Sequence, residues 1–270
     1  MKTRLITIIA ALLAFVPVLI AQMPKHLYAY PAGRTAIVVC PGGSYSWLDK
    51  QTEGHDVARW LQSQGISAYV LHYRVQGGFA FASGYRYVVR GHQYPDAQED
   101  LQNAILWLRQ NADSLGIDRH RIGAMGFSAG GHLVASAGAL FDAASRPDFV
   151  VPVYPVVTLR QEPYVHRRSR RALLGEYRKR NQTWRDSLSL EEHITASMPP
   201  TFLVNCKDDP IVHYHNSELL DSALTAHQIP HRYLQFEHGG HGFGSDTLKA
   251  GAEAIVWKNE FLTWLKNEQF

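Results

Sequence analysis

Residues 121–132 read RIGAMGFSAGGH. The apolar run through Ile122, Ala124, Met125 and Phe127 has the character of a buried strand, and the small residues from Ala129 onward suit a helix. Between them stands Ser128, with Gly126 two residues before it and Gly130 two residues after. A serine at the tip of a buried strand adds nothing to a core. The order strand, G-x-S-x-G, helix describes a sharp turn that holds a hydroxyl out at a sheet edge, where the positive end of the next helix points at it. A plain packing turn is the alternative. The strand before and the helix after favour a nucleophile.

Working outward, short apolar runs alternate with helical patterns. Strands are predicted at 35–40 (TAIVVC), 67–73, 121–127, 148–157, 200–206 and 231–236. Helices are predicted at 52–65, 95–112, 129–141 and 216–228, and one long helix at 248–268. Residues 23–35 read as a loop or edge strand, 75–94 as a glycine- and aromatic-rich excursion, and 158–198 as irregular and partly helical. The alternation predicts an α/β fold, a mainly parallel twisted sheet with helices on both faces, over 23–270 and without a large cap domain. Ligands of such sheets bind beyond the carboxyl ends of the strands.

The polar oddities fall there. A serine nucleophile needs a base. EHGGHGFG (237–244) follows the last predicted strand and offers His241 between glycines, with His238 as the competing imidazole. The G-G-H-G-F pattern centres on His241. The base needs a carboxylate, and CKDDPIVHYHNS (206–217) leaves a strand end with Asp208 and Asp209. Asp209 has the D-x-x-V spacing of an acid loop, which leaves Asp208 to cap or brace the loop. The chain order Ser128, Asp209, His241 is nucleophile, acid, base. An oxyanion hole needs preformed N–H donors. CPGGSYSW (40–47) offers the backbone of Gly43 or Ser44, to be joined by Ala129 after the nucleophile. Tyr45 and Trp47, just beyond, are either stacking platforms for a sugar ring or core aromatics. His213 with His215, or His238 with His241, lacks an evident third ligand, so no metal is assigned.

These stretches resemble the α/β-hydrolase esterases, in particular the branch of acetyl xylan esterase-like proteins with the related feruloyl and carbohydrate acetyl esterases. VVCPGGSY, EGHDVARWLQSQGISAYVLHYR, YPDAQEDLQNAILWLR, IGAMGFSAGGHLVAS, RPDFVVPVYPVV, SRRALLG, PPTFLVNCKDDPIV and GGHGFG carry the likeness, from about residue 35 to 265. The resemblance implies an α/β-hydrolase domain, a triad of Ser128, Asp209 and His241, no metal or organic cofactor, and an acyl ester, above all an acetyl ester, on a plant-derived carbohydrate such as a xylan oligosaccharide. A feruloyl or general short-chain carboxylesterase and a peptidase of the same fold are the enzymatic alternatives. A non-catalytic carbohydrate-binding relative is the alternative of another class. Three departures stand out. Ser44 occupies a place where a third glycine is common, the 75–94 excursion is long and aromatic, and His213 stands where the acid loop often has proline.

The remaining features bound location and partners. MKTR followed by LITIIAALLAFVPVLIA and Ala21-Gln22 reads as a secretory leader, residues 1–22, with a retained anchor as the alternative. Export would place the mature protein in a periplasm or outside the cell, without stable membrane association. The chain has 27 Lys and Arg against 24 Asp and Glu, a net of +3, and loss of Lys2 and Arg4 with the leader brings it to +1. That balance gives no reason to propose nucleic acid. The one basic cluster, HRRSRRALLGEYRKR (166–180), reads as a solvated helix face in preference to an anion or polymer contact. Cys40 and Cys206 each close an apolar run and read as buried free thiols.

Overall fold

The computed structural model describes residues 23–83 and 87–270. The leader assigned to residues 1–22 and three residues of the excursion, 84–86, lie outside the described residues. Seven strands among the described residues, β1 (Leu27–Tyr30), β2 (Ala36–Cys40), β3 (Ser67–Leu71), β4 (Ile122–Phe127), β5 (Val150–Val153), β6 (Thr201–Cys206) and β7 (His231–Phe236), form one sheet. Its order is β1-β3-β2-β4-β5-β6-β7. Only β1 runs antiparallel, against β3; the other pairings are parallel.

Alternation along the central strands sends successive side chains to opposite faces. Ala36, Val38 and Cys40 of β2 join one core, and Ile37 and Val39 the other. The first core is covered by α3 (Asp96–Gln110) and α5 (Ala129–Leu140), through Leu101, Ile105, Leu108, Leu133 and Val134. The second is covered by α1 (Asp56–Ser63), through Val57 and Leu61, and by Trp257, Phe261 and Trp264 near the C-terminus. Both faces are therefore dry, which is why β2 to β6 read as continuous apolar runs. Short helices α2 (Gly78–Ala82), α4 (Ala112–Leu115) and α7 (Gln182–Asp186), with α6 (Arg167–Arg178) and α8 (His215–Ala226), complete the layers and the rim. Cys40 and Cys206 are free and buried, on β2 and β6 with two strands between them.

The structure corrects three boundaries. The 148–157 run pairs only over β5, because Tyr154 turns to φ 37° and Pro155 has no N–H to continue the ladder. The long C-terminal helix is two helices, α9 (Thr247–Ala254) and α10 (Trp257–Asn267), and Gly251 at φ 68° interrupts the first. The excursion carries α2, whose Phe81 meets the guanidinium of Arg171 3.8 Å from its ring centre.

Candidate active site

The elbow is built by close backbone approach. A Cβ on Gly126 would lie 2.1 Å from the Gly130 carbonyl oxygen, and one on Gly130 would lie 2.1 Å from that of Cys40. Both glycines are required by neighbouring backbone, so the sequence pattern reflects packing of β4 and α5 against β2. Ser128 itself takes φ 54°, ψ −115°, a strained conformation for a residue with a Cβ. Its N–H donates to Val153 O, and its C=O accepts from His132 and Val156 N–H. With these bonds made, the residue is 4% exposed and lines a cleft of ≈ 220 Å³ with Gly43, Ser44, Trp47, Glu53, Arg168 and His241.

His241 Nδ1 lies 2.6 Å from Asp209 Oδ2, and the Asp209 side chain is 1% exposed. The other oxygen, Oδ1, accepts from the N–H groups of Ile211 and Val212 at 2.8 and 2.9 Å. An acid so engaged accepts from Nδ1–H, which leaves Nε2 of His241 as the free lone pair. Asp208 does something else. It accepts from Gly240 N–H at 2.8 Å and Gly239 N–H at 3.3 Å, and so braces the histidine loop. His238 lies beside Asp208 with an exposed ring.

The loop after β2 holds three successive positive-φ residues, Gly43 (132°), Ser44 (57°) and Tyr45 (58°). Gly43 cannot carry a side chain, since its Cβ would fall 2.1 Å from Trp47 O. Gly42 N–H is taken by Glu53 Oε2 at 2.8 Å. Those of Gly43 and Ser44 have no acceptor among the described residues. Ala129 opens α5, so its N–H has no partner within that helix. The aromatic pair divides. Tyr45 is 2% exposed and its hydroxyl meets His132 Nδ1 at 2.8 Å, whereas Trp47 is 51% exposed on the cleft wall. Tyr45 is thus a core residue and takes no place in a sugar platform. His132 Nε2 donates to Leu188 O at 2.9 Å, so Nδ1 accepts from the tyrosine. Burial first, against the Leu188 bond, pushes this imidazole down to about 4.

Glu53 was not singled out in the sequence and is central here. It is 3% exposed, accepts from Tyr154 Oη at 2.9 Å, and Tyr154 Oη accepts from Gly244 N–H at 2.9 Å. One carboxyl therefore ties the β2 loop, through Tyr154, to the histidine loop. Tyr154 also packs its ring 4.6 Å from that of His241. Burial pushes the Glu53 carboxyl up, and outweighs the nearby His241, Tyr154 and Gly42, which act in the opposite direction. The only sequence sign was a glutamate opening an apolar-faced helix, and that is the ordinary place for an acid at a helix start.

His213 and His215 lie 4.8 Å apart in an aromatic cluster with Tyr164 and Tyr214. Among the described residues no group of three or more His, Cys, Asp or Glu could hold a metal ion. No helix among them is long and apolar enough to cross a membrane. The basic segment 166–180 departs from a plain solvated face. Ala172, Leu173 and Leu174 of α6 are buried, and Arg168 reaches the cleft.

A parallel sheet with an antiparallel edge strand, helices on both faces and a serine-bearing turn after its central strand has the α/β-hydrolase fold. The BD-FAE family model matches residues 34–224, and the chain belongs to that family. The acetylxylan esterase of Xylanibacter ruminicola is 30% identical over 249 residues, covering 92% of this chain and 48% of its own length. The endo-1,4-beta-xylanase B of Butyrivibrio fibrisolvens is 32% identical over 241 residues, covering 84% of this chain and 35% of its own. The chain thus spans less than half the length of these curated relatives. The crystal structure of an acetyl ester-xyloside bifunctional hydrolase from Caldicellulosiruptor lactoaceticus superposes with a TM-score of 0.78 at 35% identity, covering 90% of this chain and 88% of that one.

Proposed function

We propose that this protein is a carboxylic ester hydrolase that removes acetyl groups from xylan-derived oligosaccharides, with Ser128 as nucleophile, His241 as base and Asp209 as orienting acid. Ser128 Oγ bonds to the ester carbonyl carbon while His241 Nε2 takes the hydroxyl proton. The oxyanion is met by N–H groups of Gly43, Ser44 and Ala129. The bond to the sugar oxygen breaks as His241 returns the proton to it. Water then gives a proton to His241, attacks the acetyl-serine and releases acetate, and Ser128 Oγ recovers its proton. Asp209 keeps the imidazole in the Nδ1–H tautomer and stabilises the imidazolium.

The observation that carries this reading is the buried Asp209–His241 bond opening onto the same cleft as a strained Ser128. Family membership and the names of the acetylxylan esterase and acetyl ester-xyloside relatives support the acetyl and xylan parts. The cleft volume of ≈ 220 Å³ also supports a small acyl group. It is below the roughly 300–1,000 Å³ of sites that enclose a drug-sized ligand, so the acyl group and ester sit inside and the sugar spreads over the rim. The leader in residues 1–22 would deliver the enzyme to a compartment where such fragments occur. The test is acetate release from acetylated xylo-oligosaccharides beside 4-nitrophenyl acetate, butyrate and a feruloyl ester, with Ser128→Ala as control. Acetate release from the oligosaccharide that is lost in the variant is the expected result. Turnover of 4-nitrophenyl acetate alone would remove the carbohydrate from the proposal.

A further inference from the structure

Beside the cleft lies a second hollow, of ≈ 480 Å³, lined by Phe81, Arg167, Arg168, Arg170, Arg171, Lys179 and Arg180. Its lining holds six cationic side chains and no acid. Two carboxylates serve them from behind. Glu162 takes Arg170 at 2.7 Å and Arg167 at 3.7 Å, and Glu176 takes Lys179 at 2.5 Å and Arg171 at 3.9 Å. Glu162 is further shared with Arg185 at 3.1 Å. Arg168 and Arg180 have no carboxylate partner among the described residues.

Arg168 is the residue common to this hollow and to the cleft that Ser128 and His241 line. Its guanidinium rests 5.0 Å from the ring centre of Phe81, which leaves its hydrogen-bonding edge free. Neither acid that lines the cleft, Glu53 or Asp49, forms an ion pair with it among the described residues. Glu53 is held by Gly42 and Tyr154, and Asp49 accepts from Thr52 N–H. The neighbouring imidazole, His166, is pushed down to about 4 by burial and then by His241 and Arg168, so the positive charge on this wall belongs to Arg168. A surplus of charge held at the mouth of a catalytic cleft selects an oppositely charged substrate and raises its local concentration. Arg168 stands where the cleft passes into the hollow, so the half of the substrate that extends from the ester toward the hollow is the alcohol.

We propose that Arg168, backed by the basic hollow, binds a carboxylate on the carbohydrate, so that the preferred substrate is an acetylated oligosaccharide bearing a uronic acid. This rests on the esterase reading above and narrows it. A guanidinium and a carboxylate form paired, charge-assisted hydrogen bonds, which a neutral sugar cannot match.

The test compares two acetylated xylo-oligosaccharides of equal length, one with a uronosyl and one with a neutral glucosyl side group. The expected kcat/KM favours the uronosyl substrate about tenfold, the size of one charge-assisted hydrogen bond, and the preference shrinks in high salt. In Arg168→Gln the ratio of the two falls to about one through KM, and in Arg168→Lys it is partly kept. Should Arg168→Gln fail to fold, Arg168→Lys and the salt dependence of the unsubstituted enzyme carry the readout. Equal kcat/KM for the two substrates in the unsubstituted enzyme overturns the proposal, as does a preference that survives Arg168→Gln. A gain confined to an acidic acyl group, as in 4-nitrophenyl hemisuccinate, places the anion in the other half of the substrate and overturns it too. Absence of acetate from both oligosaccharides would instead defeat the esterase reading on which it stands.

Discussion

Ser128 and Arg168 line the same cleft but are held by different parts of the molecule. Ser128 sits at the centre of the sheet, between backbones so close that Gly126 and Gly130 admit no Cβ. Its own N–H and C=O are both bonded, to β5, to α5 and to the segment after β5. Arg168 lies on the exposed side of α6, stacked on one phenylalanine of a surface excursion. The first region is fixed by many mutually dependent contacts, and the second by few independent ones. In the proposed reading, chemistry that tolerates little displacement is carried by the carboxyl end of the central strand, and recognition that tolerates adjustment by the rim.

The largest effect is expected of Ser128→Ala, which should lower kcat by roughly 10⁴-fold or more while thermal unfolding moves by little, since the hydroxyl supports no packing. Next, Asp209→Asn should cost roughly 10³- to 10⁴-fold in kcat, because the amide orients the wrong imidazole tautomer. Glu53→Gln should lower kcat roughly ten- to a hundredfold with KM nearly unchanged. An amide cannot accept from both Gly42 N–H and Tyr154 Oη with the same two atoms, and the shift would pass to the oxyanion donors. A wild-type kcat in Glu53→Gln would show that the carboxyl only fills space.

His132 gives a smaller effect and a pH signature. Its imidazole is neutral in the fold and pushed down to about 4, against about 6.5 in the unfolded chain. Stability is therefore complete above about pH 6.5 and declines as pH falls toward 4, by about 3 kcal/mol at most. Denaturant titrations at several pH values check this, and His132→Gln should flatten the slope over that window. Smallest of all, Phe81→Ala should cost about 1–2 kcal/mol, since the ring is only partly buried against the core and carries two cation–π contacts, and leave kcat toward 4-nitrophenyl acetate as it was.

The same contrast decides what could be read without a structure. The buried strands and the elbow were legible because a sheet buried on both faces writes unbroken apolar runs, and a turn through crowded backbone writes glycines at fixed offsets. Asp209 could be told from Asp208 by its spacing, and it is Asp209 that meets His241. Tyr45 and Trp47 could not be separated, because two consecutive positive-φ residues, Ser44 and Tyr45, reset which way each aromatic points. Glu53 was invisible because its partners, Gly42 and Tyr154, are 11 and 101 residues away. Gly251 interrupts α9 within a stretch that the apolar period reads as one helix, since a lone glycine in a helical pattern is usually tolerated. The basic segment was read by charge alone, and charge does not say which arginine faces a cleft.

The central claim is that Ser128 is a nucleophile activated by His241. Its most direct measurement is mass spectrometry of the protein after exposure to a fluorophosphonate, with acetate release followed in parallel. One adduct is expected, on the peptide containing Ser128, appearing at the rate at which activity is lost and absent from both Ser128→Ala and His241→Ala. An unmodified Ser128 in an enzyme that still releases acetate, or a label on another residue that abolishes activity, would contradict it.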